Sequence, residues 1–240
     1  MKKVLVFIVL FTCFMSAFTI DELWNKTLEI AENSWQILPG RITMTSETSF
    51  SEGLRARTMR MEIVFGLSKA EDGTVRAFSI SRDLTSSDEI AQRERNEINR
   101  MVDRSIRELL EQDFTPKREG IFTADCPNTT VRRQRNTRTI DGRLAQSYRV
   151  THTPTGKRTD RIDGTVWIDA ETRAPLLSEM RPSQFPEGVR RMDIKTFYKY
   201  LEDTNQFIVI RQETSSTAQG GNMIFTSEQV QVFEEHWALE

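Results

Sequence analysis

The chain has 240 residues, with 33 Lys and Arg against 35 Asp and Glu and a net charge of −2. That length suits one large or two small domains, and the charge balance excludes a nucleic-acid binder that works by bulk positive charge. With 38% apolar residues, the core can only be modest.

Lys2 and Lys3 precede an unbroken apolar run, Val4 to Phe11, and then come Thr12, Cys13, Phe14, Met15, Ser16 and Ala17. This order of basic, apolar and small residues predicts a secretory signal peptide over 1–17, leaving 18–240 as a single domain. The apolar stretch falls short of the roughly 20 residues a membrane helix needs. Cleavage after Ala17 removes Cys13 and leaves Cys126 alone, so no intrachain disulfide is expected in the exported protein. Lipidation of Cys13 is the alternative, with Leu10-Phe11-Thr12-Cys13 as a lipobox, but Phe11 and Thr12 are bulky where small residues are wanted.

From Ile20 to Leu38, apolar residues at Ile20, Leu23, Trp24, Leu28, Ala31 and Trp35 follow helical spacing, and Pro39-Gly40 stops the helix. Period-two alternation then begins with Ile42, Met44, Ser46, Thr48 and Phe50, and is clearest in Arg57–Ser68. There Met59, Met61, Ile63, Phe65 and Leu67 share one face of a strand. Glu71-Asp72-Gly73 turns the chain into a returning strand, Thr74–Arg82. Ser86 and Glu89 form a capping box for a long helix ending near Gln112, with an apolar stripe of Ala91, Ile98, Met101, Val102, Ile106, Leu109 and Leu110. Its other face is densely charged. This 86–112 helix is expected as an insertion lying on the sheet, with a coiled-coil partner as the alternative.

Gly120 to Asn128 reads as loop or short strand. Asp141-Gly142 then joins Val131–Ile140 to Arg143–His152 in the strongest hairpin signal of the chain. Further strands follow at Thr165–Asp169, Leu176–Pro182, Arg190–Tyr200, Phe207–Glu213 and Asn222–Trp237, for nine or ten in all. Strands with one apolar and one wet face pair antiparallel. The expected fold class is α+β, mainly antiparallel β: a strongly curved half-barrel with helices covering its concave face.

Catalytic patterns are scarce. His152 and His236 lie in strand-like stretches, and neither they nor Cys126 have the spacing of a metal site. An enzyme would need one of these histidines beside a carboxylate in a pocket. No catalytic residue, metal or cofactor is expected. Two binding patterns stand out. Arg132, Arg133, Arg135, Arg138 and Arg143 form a basic run suited to phosphate groups or a membrane surface; ion-paired arginines on a wet hairpin face are the bland alternative. Met44, Met59, Met61, Ile63, Phe65, Trp167, Met180, Met192, Ile194, Tyr198 and Tyr200 fall in the apolar pattern, where flexible methionines can line a groove for chains of variable shape or simply fill a core.

Gly164-Thr165-Val166-Trp167-Ile168-Asp169, then Glu171-Thr172, Pro175-Leu176 and, after Phe185-Pro186-Glu187-Gly188-Val189, Met192-Asp193-Ile194 resemble the corresponding stretch of outer-membrane lipoprotein-sorting proteins of the LolA type. The resemblance is specific over Gly164 to Tyr200 and architectural elsewhere. It implies a periplasmic, non-catalytic carrier that holds lipid or lipoprotein acyl chains in a lidded apolar groove, with an inner-membrane transporter or outer-membrane acceptor as partner. The family's lid-closing arginine has no matching position here. A cell-envelope sensor or transporter-associated interaction protein on the same fold is the alternative, since fold does not settle function.

Overall fold

The computed structural model describes residues 21–52, 55–86, 92–116, 120–123, 128–185, 187–220 and 223–239. The predicted leader with Cys13, together with Cys126, Glu89 of the capping box and Ala91 of the helical stripe, lies outside this set. The side chains of Ile98 and Met101 are likewise outside it.

Helix α1 spans Glu22–Ser34. Asp21 caps it by accepting a hydrogen bond from the Leu23 amide at 3.0 Å, which satisfies one of the free donors of the first turn. Where helical spacing predicted continuation to Leu38, the chain instead enters a two-residue strand, β1 (Ile37–Leu38). Strands β2 (Arg41–Glu52), β3 (Arg55–Lys69) and β4 (Val75–Ser86) follow, then helix α2 (Gln92–Glu111). The remaining strands are β5 (Thr129–Ile140), β6 (Arg143–His152), β7 (Ile162–Asp169), β8 (Pro175–Pro182), β9 (Val189–Leu201), β10 (Gln206–Gly220), β11 (Met223–Glu234) and β12 (Trp237–Ala238).

Ten strands form one open antiparallel sheet in the order β4-β3-β2-β11-β10-β9-β8-β7-β6-β5, while β1 and β12 make a separate two-stranded sheet. Asp141 and Gly142 take φ of 47° and 80°, the left-handed pair that a two-residue hairpin turn requires. The sequence order runs straight from β5 to β11, whereas β2 pairs with β11 and leaves β4 at the far edge. The connection from β4 to β5 must therefore cross from one edge of the sheet to the other. α2 itself stays on the β4 side: Asp103 pairs with Arg82 of β4, and just past the helix end Phe114 and Thr115 hydrogen-bond to Val75 of β4, so the crossing comes after Thr115.

The cross-strand register places Ile42, Met44, Met59, Met61, Ile63, Phe65, Phe225, Phe233, Ile194, Tyr198, Val166, Tyr148 and Val150 on the same face of the sheet. Both helices pack on this face. Ile106 and Leu109 of α2 meet the core of Leu38, Ile42, Ile63, Phe65, Leu67, Val75 and Ala77. Trp24 of α1 meets Tyr148, Val150, Val166 and Ile168. The opposite face carries a smaller cluster of Ala145, Trp167, Leu176 and Leu177. No described helix is long and apolar enough to cross a membrane.

Candidate functional site

α1 is fastened to the sheet by polar contacts at both ends. At its start, the second carboxylate role of Asp21 is to accept a 2.8 Å hydrogen bond from the Tyr148 hydroxyl and a 3.3 Å contact from Arg133. Burial, with the Asp21 carboxylate as a second cause, pushes the Tyr148 phenol well above its ordinary range. Further along, the Thr27 hydroxyl lies 2.6 Å from the Arg173 carbonyl in the β7–β8 turn. At its end, Ser34 donates to the Ile30 carbonyl and accepts from the Phe207 amide of β10 at 2.9 Å.

Between α1 and the C-terminal strands these contacts hold open a cavity of about 480 Å³. Its apolar wall includes Trp35, Phe122, Tyr198, Phe207, Val209 and Phe233, and its polar groups include Glu32, Gln212 and His236. Phe122 closes one side: its ring stacks on Trp24 at 5.8 Å and meets Tyr198 and Phe207 edge-on at 5.8 and 5.5 Å. Such offset and edge-on contacts are the favourable arrangements for aromatic rings. The Tyr198 hydroxyl is 3.1 Å from the Ser178 hydroxyl, and burial raises its pKa. β10 is irregular beside the cavity, with a register shift between Val209 and Arg211. His236 Nε2 lies 2.9 Å from the Val209 carbonyl at that shift; since the carbonyl can only accept, this nitrogen carries the proton.

The predicted groove residues separate into groups. Tyr198 lines the cavity, and Tyr200 packs on the adjoining cluster of Ile30, Ala31, Ala174 and Phe207. Ile63 and Phe65 are buried in the α2-side core, with Met44 and Met61 packed against it, and Met180 packs beside Trp24. Met59, Met192 and Ile194 sit half-buried on the same face toward the far ends of their strands. Trp167 lies on the other face. Its indole N–H donates to Glu179 at 3.0 Å, and the Arg138 guanidinium covers its ring at 4.2 Å.

The basic run is also divided. Arg133 contacts Asp21 and Gln146, Arg138 covers Trp167 and lies 3.8 Å from Glu179, and Arg143 reaches the buried Asp169 at 3.0 Å. Arg132 and Arg135 are exposed and form no ion pair with a described residue. His152 is buried near the sheet edge, its Nδ1 2.8 Å from the Thr129 hydroxyl. Burial lowers its pKa, against an opposing pull from Asp160. Among the described residues, no group of three His, Cys, Asp or Glu side chains could hold a metal ion.

Sequence reasoning missed Trp35, Phe122, Phe207, Val209 and Phe233 as a set. They come from a turn, a short segment and strand ends, and only tertiary packing brings them together.

No protein-family model matches the chain, and no curated protein matches it. Solved structures do. An outer membrane lipoprotein-sorting protein domain from Vibrio parahaemolyticus is similar at 11% identity and TM-score 0.36, over 90% of this chain and 93% of that one. A LolA superfamily protein from Nitrosomonas europaea is similar at 10% identity and TM-score 0.32, over 89% and 92%. MucB and MucA from Pseudomonas aeruginosa, solved as a complex, provide a third likeness at 10% identity and TM-score 0.27, over 90% and 99%. These are distant likenesses, and the functional reading rests on the chain's own geometry.

Proposed function

We propose that this protein is an exported, non-catalytic carrier that binds the acyl chains of a lipid or lipoprotein in the cavity between α1, Phe122 and β9–β10. The observation that carries the reading is the composition of the wall: Trp35, Phe122, Tyr198, Phe207, Val209 and Phe233 surround about 480 Å³. This is within the range of about 300–1,000 Å³ common for small-molecule sites, which are mostly apolar with a few polar groups. Ten methylenes buried there would contribute about 8 kcal/mol before the cost of ordering the chain. Glu32, Gln212 and His236 supply the polar margin where a headgroup or the linkage to it would sit. The reading agrees with the sequence resemblance over Gly164–Tyr200.

Titration with a dansyl-labelled medium-chain fatty acid tests it. The wild-type chain is expected to enhance the fluorescence saturably. Val209→Trp, which fills the cavity from its β10 wall, is expected to weaken binding by about tenfold or more, the loss of a few buried methylenes, with an unchanged melting temperature. Absence of saturable binding by the wild type, or wild-type affinity in a folded Val209→Trp variant, refutes the carrier.

A further inference from the structure

A second surface lies at the end of the sheet where the β2–β3 and β10–β11 hairpins turn. The register brings the two ends side by side: Glu52 pairs with Arg55 across one hairpin, Gly220 with Met223 across the other, and Met223 with Glu52 between them. On one side the neighbour stops earlier: β4 ends where Ser86 pairs with Met59, four residues short of Arg55. On the other side β9 runs nearly to the end of β10, where Val189 pairs with Ala218. At about 3.4 Å per residue, the paired hairpins extend some 13 Å past the end of β4.

This projecting end is apolar where water would favour polar side chains. Met223 is 40% exposed and Ile224 48%. Phe50 and Phe225, opposite each other across the β2–β11 pair, meet edge-on at 5.4 Å and remain half-buried. None of these four belongs to a core cluster among the described residues. Exposed large apolar groups concentrated at one extremity mark an interaction surface rather than a fold requirement.

Cations gather behind it. Arg57, Arg190 and Arg191 are exposed, and the rows nearest the end hold Arg55, Arg57, Arg190 and Arg191 with the carboxylates of Glu52 and Glu187. Four arginines against two carboxylates is a local cationic excess in a chain whose net charge is −2. Two rows further in, where Glu47 and Glu228 also lie, Asp193 pairs with Arg181 and Arg191 at 2.5 Å each and Glu47 pairs with Arg60. An apolar edge with guanidinium groups set back from it matches the order of layers in an anionic bilayer, acyl region first and phosphates behind.

We infer that the paired hairpin ends dock on an anionic lipid surface, with Met223 and Ile224 entering the acyl boundary and Arg190 and Arg191 contacting phosphates. The surface is distinct from the β5–β6 arginine run and from the cavity.

Vesicle co-sedimentation tests it, comparing phosphatidylglycerol-containing with pure phosphatidylcholine vesicles. The wild type is expected to bind the anionic vesicles more tightly, with binding that weakens as salt rises. Met223→Ser with Ile224→Ser is expected to reduce that binding about tenfold. Arg190→Gln with Arg191→Gln is expected to remove much of the preference for anionic lipid. Both pairs are exposed and outside the cavity, so binding of the dansyl fatty acid is expected to stay at the wild-type level. That second readout separates failure of the docking surface from failure of the carrier and reports a folded protein. Wild-type vesicle affinity in the Met223/Ile224 variant overturns the inference, as does a wild-type chain that sediments equally with both vesicles.

Discussion

Asp169 shows how one buried side chain can hold a turn and a helix together. Burial on its own would raise its pKa. The Glu171 amide, the Thr172 hydroxyl and Arg143 more than offset this, so the pKa lies below the ordinary carboxylate range. A carboxyl whose pKa is depressed by folding adds stability at pH values above its unfolded pKa, and that contribution is lost as pH falls through the folded value. Urea unfolding between pH 7 and pH 3 is therefore expected to show acid destabilisation that Asp169→Asn diminishes. Equal pH dependence in both proteins would show that Asp169 does not supply it. The Arg173 carbonyl in the same turn meets Thr27, so loosening the turn also loosens the seat of α1. The sequence made Arg143 visible as one of a basic run, but the run hid separate destinies: Arg143 serves this turn, Arg133 the start of α1, and Arg138 the ring of Trp167. Charge density along a strand cannot reveal which partners the fold will supply.

Elements whose two faces differ in polarity were the most legible. β3 alternates Met59, Met61, Ile63, Phe65 and Leu67 with Thr58, Arg60, Glu62, Val64 and Gly66, and its register follows from that pattern. β7 does not alternate: Val166, Trp167 and Ile168 are consecutive and all buried. A strand apolar on both sides carries no phase information, which is why Trp167 could not be assigned to its face from spacing. The β10 irregularity at Val209–Arg211 likewise resets the alternation where the cavity wall needs it, as a bulge does. β7 also carries Gly164, whose place in the resemblance has a steric counterpart. A Cβ there would lie 2.2 Å from the Glu179 carbonyl and 2.5 Å from Met180 Sδ. Gly164→Ala is expected to cost about 1–3 kcal/mol, the range for overpacking, read as a lower urea midpoint at unchanged slope. A neutral substitution would mean that β8 can yield without loss.

For the whole molecule, the expectation of an α+β, mainly antiparallel fold holds, and the sheet is open, with β4 and β5 as its edges. Strand count and pairing sense could be read locally. The junction of β2 with β11 could not, because it joins residues nearly two hundred positions apart and depends on the path of the whole chain. The same holds for β1 and β12, where Ile37 pairs with Ala238 and Leu38 with Trp237. Trp237 and Leu239 pack on the core beside α2, and His236 contacts β10. Deleting 236–240 is expected to raise hydrogen exchange in α1 and β1 and to reduce fatty-acid binding, while exchange in β6–β8 stays near wild type. Unchanged protection of β1 would show that the clasp is dispensable.

The β1–β12 pairing also imposes an order on biogenesis. α1 and β1 are made before every other described element, yet the strand that fastens β1 follows about two hundred residues later, after all the other described strands. Until then the cavity lacks the wall supplied by Phe233 and His236. A chain that has reached only β10 can therefore pair β5 through β10, but the junction with β2 and the closing wall of the cavity both wait for β11 and the residues after it.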